Sequence, residues 1–193
     1  IADRIGIAAS VIIYAMPSFL IGVLMILAFA VKWRLFPTEG KFSLGMDWQA
    51  PGALADLIRH MVLPAMTLAL PNIALFARMT RSSMLEVVKQ DFIVLARSKG
   101  ISERRVYLSH ALRNALMSVV TLVGLAVSNL LMGSAIIETV FSWPGMGKLM
   151  YEAVTLRDYN ILLGGFIVFS LVQLVSSIVT DFLYTRLDPR VRY

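Results

Sequence analysis

Basic side chains are concentrated in one polar stretch of this chain, and the chemistry they offer is binding rather than catalysis. Between residues 78 and 113, eight lysines and arginines stand against three acidic residues. Residues 91–99 have a helical pattern with cations in the last turn, Gly100 suits the left-handed conformation that ends a helix, and Ser102 suits the start of a second helix. From charge alone, a solvated loop on anionic lipid is the better interpretation. The capping pattern instead favours two helices joined at an ordered elbow.

Other chemistries have few candidate residues in this chain. Cysteine is absent and there are two histidines, His60 and His110, which lie in different segments. These counts exclude a disulfide framework and argue against a metal site. The phosphate-binding pattern GxxxxGK[ST] is absent, and no Ser-His-Asp spacing is present. We therefore expect no metal, no cofactor, no ATP bound by this chain and no enzymatic activity.

The elements that position the basic stretch are long apolar runs. The chain is 58% hydrophobic and 16% charged, with a mean hydropathy of +0.76, which is more apolar than a soluble domain. A helix needs roughly 20 apolar residues to cross the hydrocarbon core. Four runs predict spans at about residues 5–31, 61–88, 115–137 and 161–183. The expected fold is all-α, a polytopic membrane helical bundle in one domain over residues 1–193.

Charge predicts the orientation of these spans. The segment around the elbow, about 89–113, belongs to the most basic loop, whereas residues 32–59 carry four basic and three acidic groups and residues 138–160 carry two and three. The positive-inside rule places the elbow and both ends of this chain in the cytoplasm. Trp33, Trp48 and Trp143 then fall near span ends on the outer side, where interfacial aromatic residues are common.

The elbow resembles the EAA loop of ABC importer permeases, whose pattern is E-A-A-x3-G-x9-I-x-L-P. Ala96 and Gly100 match the second Ala and the Gly, and Leu112 matches the Leu. Most other positions depart from it, with Val94 where the Glu would stand. The run A-R-x-K-G-x-S-E-x-R-V and the later H-A-L-R-N-A instead resemble the dipeptide/oligopeptide/nickel branch. Similar motifs of that branch extend over nearly the whole chain, including Trp143-Pro144-Gly145-Met146-Gly147.

This resemblance implies the permease core of a type I ABC importer in the bacterial inner membrane. Its implied partners are a second permease, ABC ATPase subunits, a periplasmic or lipid-anchored substrate-binding protein and membrane lipid, without nucleic acid. The elbow would be the coupling helix that docks on the ATPase, through Ala96, Arg97, Lys99, Gly100, Ser102, Glu103 and Arg105. Candidate pathway-lining residues are Asn72, Asn129 and Gln173, although interhelical hydrogen bonding is the better interpretation of each. Candidate contacts of an outer gate or of the binding protein are Trp143, Pro144, Gly145 and Gly147, with a simple interfacial turn as an equal alternative.

Three alternatives stay open at this point. Nickel or another solute is as compatible with these motifs as peptides are. An ion-coupled carrier normally needs a carboxylate or base inside the membrane, and the apolar runs, the second of which ends at Ala77, hold only Asp181, near an end. Permeases of this branch usually have six spans, so we expect that the first two are missing and that the chain is either part of a longer permease or a non-transporting remnant.

Overall fold

The structure, a computed structural model, describes residues 12, 14–116, 119–120, 122–123 and 134–187. Every regular element in this part of the chain is helical, so the all-α prediction is confirmed. In chain order the helices are α1 (Ser18–Met25), α2 (Ala53–Val87), α3 (Asp91–Ser98), α4 (Glu103–Arg105), α5 (Ala135–Val140), α6 (Met146–Leu156) and α7 (Tyr159–Leu187). A π-helix extends α1 over Ile26–Lys32, and another follows α4 over Val106–Ala111.

Two of the described helices are long and apolar enough to cross a membrane, α2 and residues Tyr159–Phe182 of α7. Only 22% and 11% of their most apolar windows are buried within the chain. The core helix of a soluble protein would be mostly buried, so these exposed apolar surfaces fit lipid or partner helices. At about 1.5 Å per residue, the 35 residues of α2 exceed the hydrocarbon core and carry both of its ends beyond it.

The predicted count of four spans is not confirmed. The first predicted span is interrupted at Pro17, whose ψ of 135° is extended; a proline lacks the N–H that would continue the helical ladder. The third predicted span reaches Ile137, but Ser134 begins a separate helix there, and its hydroxyl accepts a hydrogen bond from the Ile137 N–H. Residues 124–133 of that span, including Asn129, lie outside the described residues.

Two buried apolar clusters lie along α2. One is near its start and joins Ala30, Leu63, Ile137 and Phe141. The other is at its end and joins Val87, Ile93, Ala96, Val106, Ala111 and Ala115. We call residues 91–111 the elbow, and residues 33–46 with 134–158 the cap. The elbow therefore closes one end of α2, and the cap packs beside the other.

Candidate functional site

The elbow turns sharply at Gly100, as the sequence predicts. Its φ of +75° is left-handed, and a Cβ at this position would meet nothing within 4 Å. The Gly100 N–H donates to the Arg97 carbonyl at 2.9 Å, and the Ile101 N–H donates to the Ala96 carbonyl at 3.4 Å. This pair of bonds is the Schellman motif, which satisfies the last carbonyls of α3. The backbone conformation, rather than a lack of space, therefore requires the glycine.

Ser102 stands at the N-terminal boundary of α4 with extended ψ, but its side chain makes no capping hydrogen bond. Ser102 therefore occupies the N-cap position that the sequence predicts, without a hydrogen bond from the backbone to its hydroxyl. The Ser102 carbonyl instead accepts from the N–H groups of Arg105 and Val106 at 2.9 and 3.0 Å. The exposed hydroxyl is left available to solvent or to a partner.

An ion pair connects the two helices that meet at the elbow. Arg97 donates through Nε to Glu103 Oε1 at 2.8 Å and through Nη2 to Oε2 at 3.2 Å. Its Nη2 also lies 3.4 Å from the Tyr107 hydroxyl. The hydrogen bonds that Arg97 donates to the Glu103 carboxylate raise the pKa of Arg97. A side chain in the last turn of α3 thereby holds the first turn of the next helix, which fixes the angle between them.

The buried face of the elbow packs against its own chain. Ile93 and Val106 are fully buried, and Ala96 is 7% exposed, in one cluster with Val87 at the end of α2. Ala96, predicted above as part of the ATPase contact, therefore presents almost no surface to a partner. The small side chain is instead part of the buried cluster of the elbow, so Ala96 affects a partner only through the position of the elbow.

The exposed face of the elbow combines apolar and cationic side chains. Val94, Leu95 and Leu108 are each more than half exposed. Lys99, Arg104 and Arg105 are exposed on the same segment. A segment that exposes both large apolar side chains and positive charge is suited to a protein partner, since charge guides the encounter and apolar contact supplies affinity.

The structure describes two of the three candidate pathway residues, Asn72 and Gln173. Asn72 is half-buried, and its Nδ2 donates to the Leu68 carbonyl of its own helix at 2.8 Å. Gln173 is half-buried in the middle of α7. The side-chain N–H of Asn72 thus bonds within α2 and not to another helix, so this bond supports neither interpretation, and the pathway assignment stays a prediction.

The cap explains the spacing of the two predicted glycines. Glu138 Oε2 accepts a hydrogen bond from the Lys148 N–H at 2.6 Å, in the first turn of α6. A Cβ on Gly145 would collide with the Glu138 carboxyl group, and one on Gly147 would lie 2.7 Å from the backbone nitrogen of Ala135. Both glycines therefore let α5 approach α6. Trp143 is half-buried and Pro144 is exposed, so of this group Pro144 is the more accessible to a partner.

Two interactions were missed by the sequence reasoning. The pairing of Arg97 with Glu103 spans six residues, outside the three- and four-residue spacings that flag ion pairs on a helix. Glu138 serves as a distant cap of α6, and its carbonyl also accepts from the Trp143 N–H at 2.7 Å. The signal available for Glu138 was an acidic residue followed by glycines seven and nine positions later.

Comparison with known proteins agrees with this architecture. Over residues 1–193 the chain matches the family of binding-protein-dependent transport system inner membrane components. It is 37% identical to the dipeptide transport system permease protein DppB of Escherichia coli strain K12, over 100% of this chain and 62% of that relative. It is 38% identical to the oligopeptide transport system permease protein AppB of Bacillus subtilis strain 168, over 93% of this chain and 55% of that relative.

A di/tripeptide transport system permease protein of Pseudomonas aeruginosa is 39% identical, over 93% of this chain and 58% of the relative. The chain thus spans a little over half the length of the relatives that it matches. The family is one of transport components rather than an enzyme class. Because the match covers every residue, the chain belongs to the family of binding-protein-dependent transport system inner membrane components.

Proposed function

We propose that this chain is the permease part of an ATP-driven, binding-protein-dependent importer that moves peptides across the bacterial inner membrane. The observation that carries the proposal is the ordered elbow at the end of α2, which buries one face against its own chain and exposes the other. An idle loop between spans needs neither the glycine turn nor the Arg97–Glu103 pair. The three relatives described above are dipeptide, di/tripeptide and oligopeptide transport permeases, which supports peptides as the cargo.

The mechanism follows from how the elbow is attached. Its cluster includes Val87 from α2 and Ala115 from the helix that follows the elbow. A displacement of the exposed face is therefore passed to both helices at once, because packed side chains resist compression. Docking of an ATPase on that face would couple its closure to rocking of the membrane helices, which opens the pathway to each side in turn.

The partners follow from the same proposal. They are a second permease, ABC ATPase subunits at the elbow, a periplasmic or lipid-anchored substrate-binding protein near the cap, and membrane lipid; nucleic acid is not among them. In the orientation that the distribution of charge predicts, the elbow and both ends of the chain are cytoplasmic. Arg97, Lys99, Gly100, Ser102, Glu103 and Arg105 shape or present the ATPase contact, with Ala96 acting through packing. Asn72, Asn129 and Gln173 stay the candidates for the pathway, and Trp143 and Pro144 with the two glycines stay the candidates for the outer contact.

Site-directed crosslinking in the assembled transporter tests the ATPase contact. The chain has no cysteine, so single cysteines at Ser98 and Ser102, both exposed, can be paired with cysteines in the groove of the ATPase. A cysteine at Thr155, exposed on α6 of the cap, is the matched control. We expect ATP-sensitive crosslinks at 98 and 102 and none at 155. Failure at both elbow positions, with the ATPase folded and present, contradicts the coupling role.

A separate measurement tests the cargo. Uptake of a labelled dipeptide into vesicles that contain the complete transporter should require ATP and the binding protein. Uptake of nickel or another solute without peptide uptake would contradict the assignment of cargo while leaving the crosslinking result intact.

A further inference from the structure

The segment between α1 and α2 presents one apolar side chain at the tip of a rigid turn. Leu44 is 105% exposed. Gly45 has a φ of +80°, and the Met46 N–H donates to the Ser43 carbonyl at 2.9 Å, the geometry of a type II turn. The Ser43 N–H and hydroxyl each donate to the carboxylate of Asp56 at 2.7 Å. Leu44 is therefore held outward by a clamped backbone and makes no contribution to the fold of its own chain.

An aromatic and cationic platform lies beside this tip. The Trp48 ring packs edge-to-face on Phe42 with 5.0 Å between ring centroids, and it is 61% exposed. Lys41 Nζ lies 4.7 Å from the centre of the Trp48 ring. Leucine, tryptophan and lysine side by side combine an apolar group, an amphipathic ring and a positive charge. That combination is typical of side chains at the boundary between lipid headgroups and acyl chains.

The clamp also sets the depth of the tip. Asp56 is in the first turn of α2, and the predicted apolar run of this helix begins at Met61. Five residues of helix correspond to about 8 Å along its axis, close to the thickness of the headgroup layer on one side of a bilayer, roughly 5–8 Å. Trp33, 54% exposed at the end of the π-helix that extends α1, follows the first predicted apolar run, which ends at Val31, by two residues. The tip thus lies at the level of the headgroups and not far above the membrane.

We propose that the Leu44–Trp48 tip inserts into the surface of the leaflet opposite the elbow and anchors the cap to the lipid. Leu44 and Trp48 contact the upper acyl chains, and Lys41 faces the phosphate groups. The segment that bears the tip is bonded to residues 134–158 of the cap, since the Gly40 N–H donates to the Phe141 carbonyl at 2.9 Å and the Ser142 hydroxyl to Glu39 at 3.0 Å. Lipid contact at the tip therefore sets the height of the cap relative to the membrane.

Spin-label accessibility in proteoliposomes of the complete transporter tests this anchor. A nitroxide on a cysteine at Leu44 disturbs no packing, because that side chain touches nothing. The same label at Leu171, 57% exposed in the middle of α7, gives the lipid reference, and at Thr38, an exposed polar position of the same segment, it gives the water reference. We expect collisions with oxygen to exceed collisions with a water-soluble nickel chelate several-fold at 44, as at 171, and the reverse at 38.

Two results overturn the proposal. The first is that the label at position 44 collides with the nickel chelate as often as with oxygen, or more often, in vesicles without other proteins added. That result means that the tip is in water. Exposure to the chelate that falls only when the soluble binding protein is added means that the tip is a docking site for that protein. A second variant guards against a local effect of the label: Trp48→Ala should raise exposure of the label at 44 to the chelate, whereas Gln49→Ala should leave it unchanged.

Discussion

The elbow and the cap lie toward opposite ends of α2, and each contains a buried apolar cluster. The two clusters differ in how far apart in the sequence their residues are. The cluster of the elbow comes from residues between Val87 and Ala115. The cluster of the cap joins residues that are distant in sequence, from Ala30 to Phe141. Their polar contacts differ in the same way, since Arg97 and Glu103 are 6 positions apart in the sequence and Glu39 and Ser142 are 103 positions apart.

This difference separates two kinds of structural unit. Contacts between residues close in sequence cost little loop entropy and form without the rest of the fold. The elbow is therefore a unit that can be displaced as one body, which suits a coupling role. The two parts of the cap pack correctly only when α1 and α2 are in place. Its stability therefore depends on the assembly of the whole bundle.

The largest effect is expected from truncating the centre of the cap. Phe141 is 2% exposed and packs closely on α1, since a Cβ added to Gly22 would lie 3.2 Å from the Phe141 ring. Phe141→Ala should lower the free energy of unfolding by about 3–5 kcal/mol and expose Lys41 to protease, because the segment 33–46 loses its packing. Ile93→Ala in the elbow should cost about 2–5 kcal/mol without exposing Lys41. Thermal unfolding with limited proteolysis measures both, and Leu171→Ala on the exposed face of α7 is the neutral control.

The next effect concerns the turn of the elbow. Proline holds φ near −65° and valine resists positive φ, so Gly100→Pro and Gly100→Val should strain this position by about 1–3 kcal/mol. We expect loss of transport while the protein still inserts in the membrane. Asparagine tolerates the left-handed conformation, so Gly100→Asn should retain most activity. Normal uptake by the proline variant would contradict the coupling assignment.

Glu138 tests whether the cap depends on its distant capping bond. Glu138→Ala removes the acceptor for the Lys148 N–H and should cost about 0.5–2 kcal/mol, as does loss of a helix cap. Glu138→Gln keeps an acceptor oxygen and should cost less. Equal melting temperatures for the alanine variant and the parent would show that solvent replaces this bond.

The smallest effect is expected from the exposed ion pair of the elbow. Glu103→Gln should lower stability only slightly, and the difference should vanish at high salt, since exposed pairs are screened. Glu103 raises the pKa of Arg97. The contribution of the Arg97 charge to the free energy of unfolding is therefore fully present below the pKa of an unfolded arginine. It is lost only as the pH rises through the higher pKa of the folded state. The effect of Glu103→Gln should be constant across neutral pH; a step near neutrality in the melting temperature would contradict this assignment.

Local features were the ones that the sequence predicted well. The left-handed Gly100 and the end of α3 depend on residues within a few positions of each other. Pro17 was visible in the sequence, but its interruption of the first predicted span was not predicted, because prolines are also tolerated inside membrane helices. α2 shows this directly, since it continues through Pro64 and Pro71.

The sequence by itself determined the helical class, the membrane character and the position of the elbow, because hydropathy and capping act over short stretches. Only the tertiary structure decided that Ala96 faces its own chain, that Glu103 pairs with Arg97, and that Gly147 lets α5 approach α6. It also decided that Leu44 stands outward on a turn clamped by Asp56. Each of these depends on which distant segments meet, and that is set by packing of whole helices rather than by any local pattern of residues.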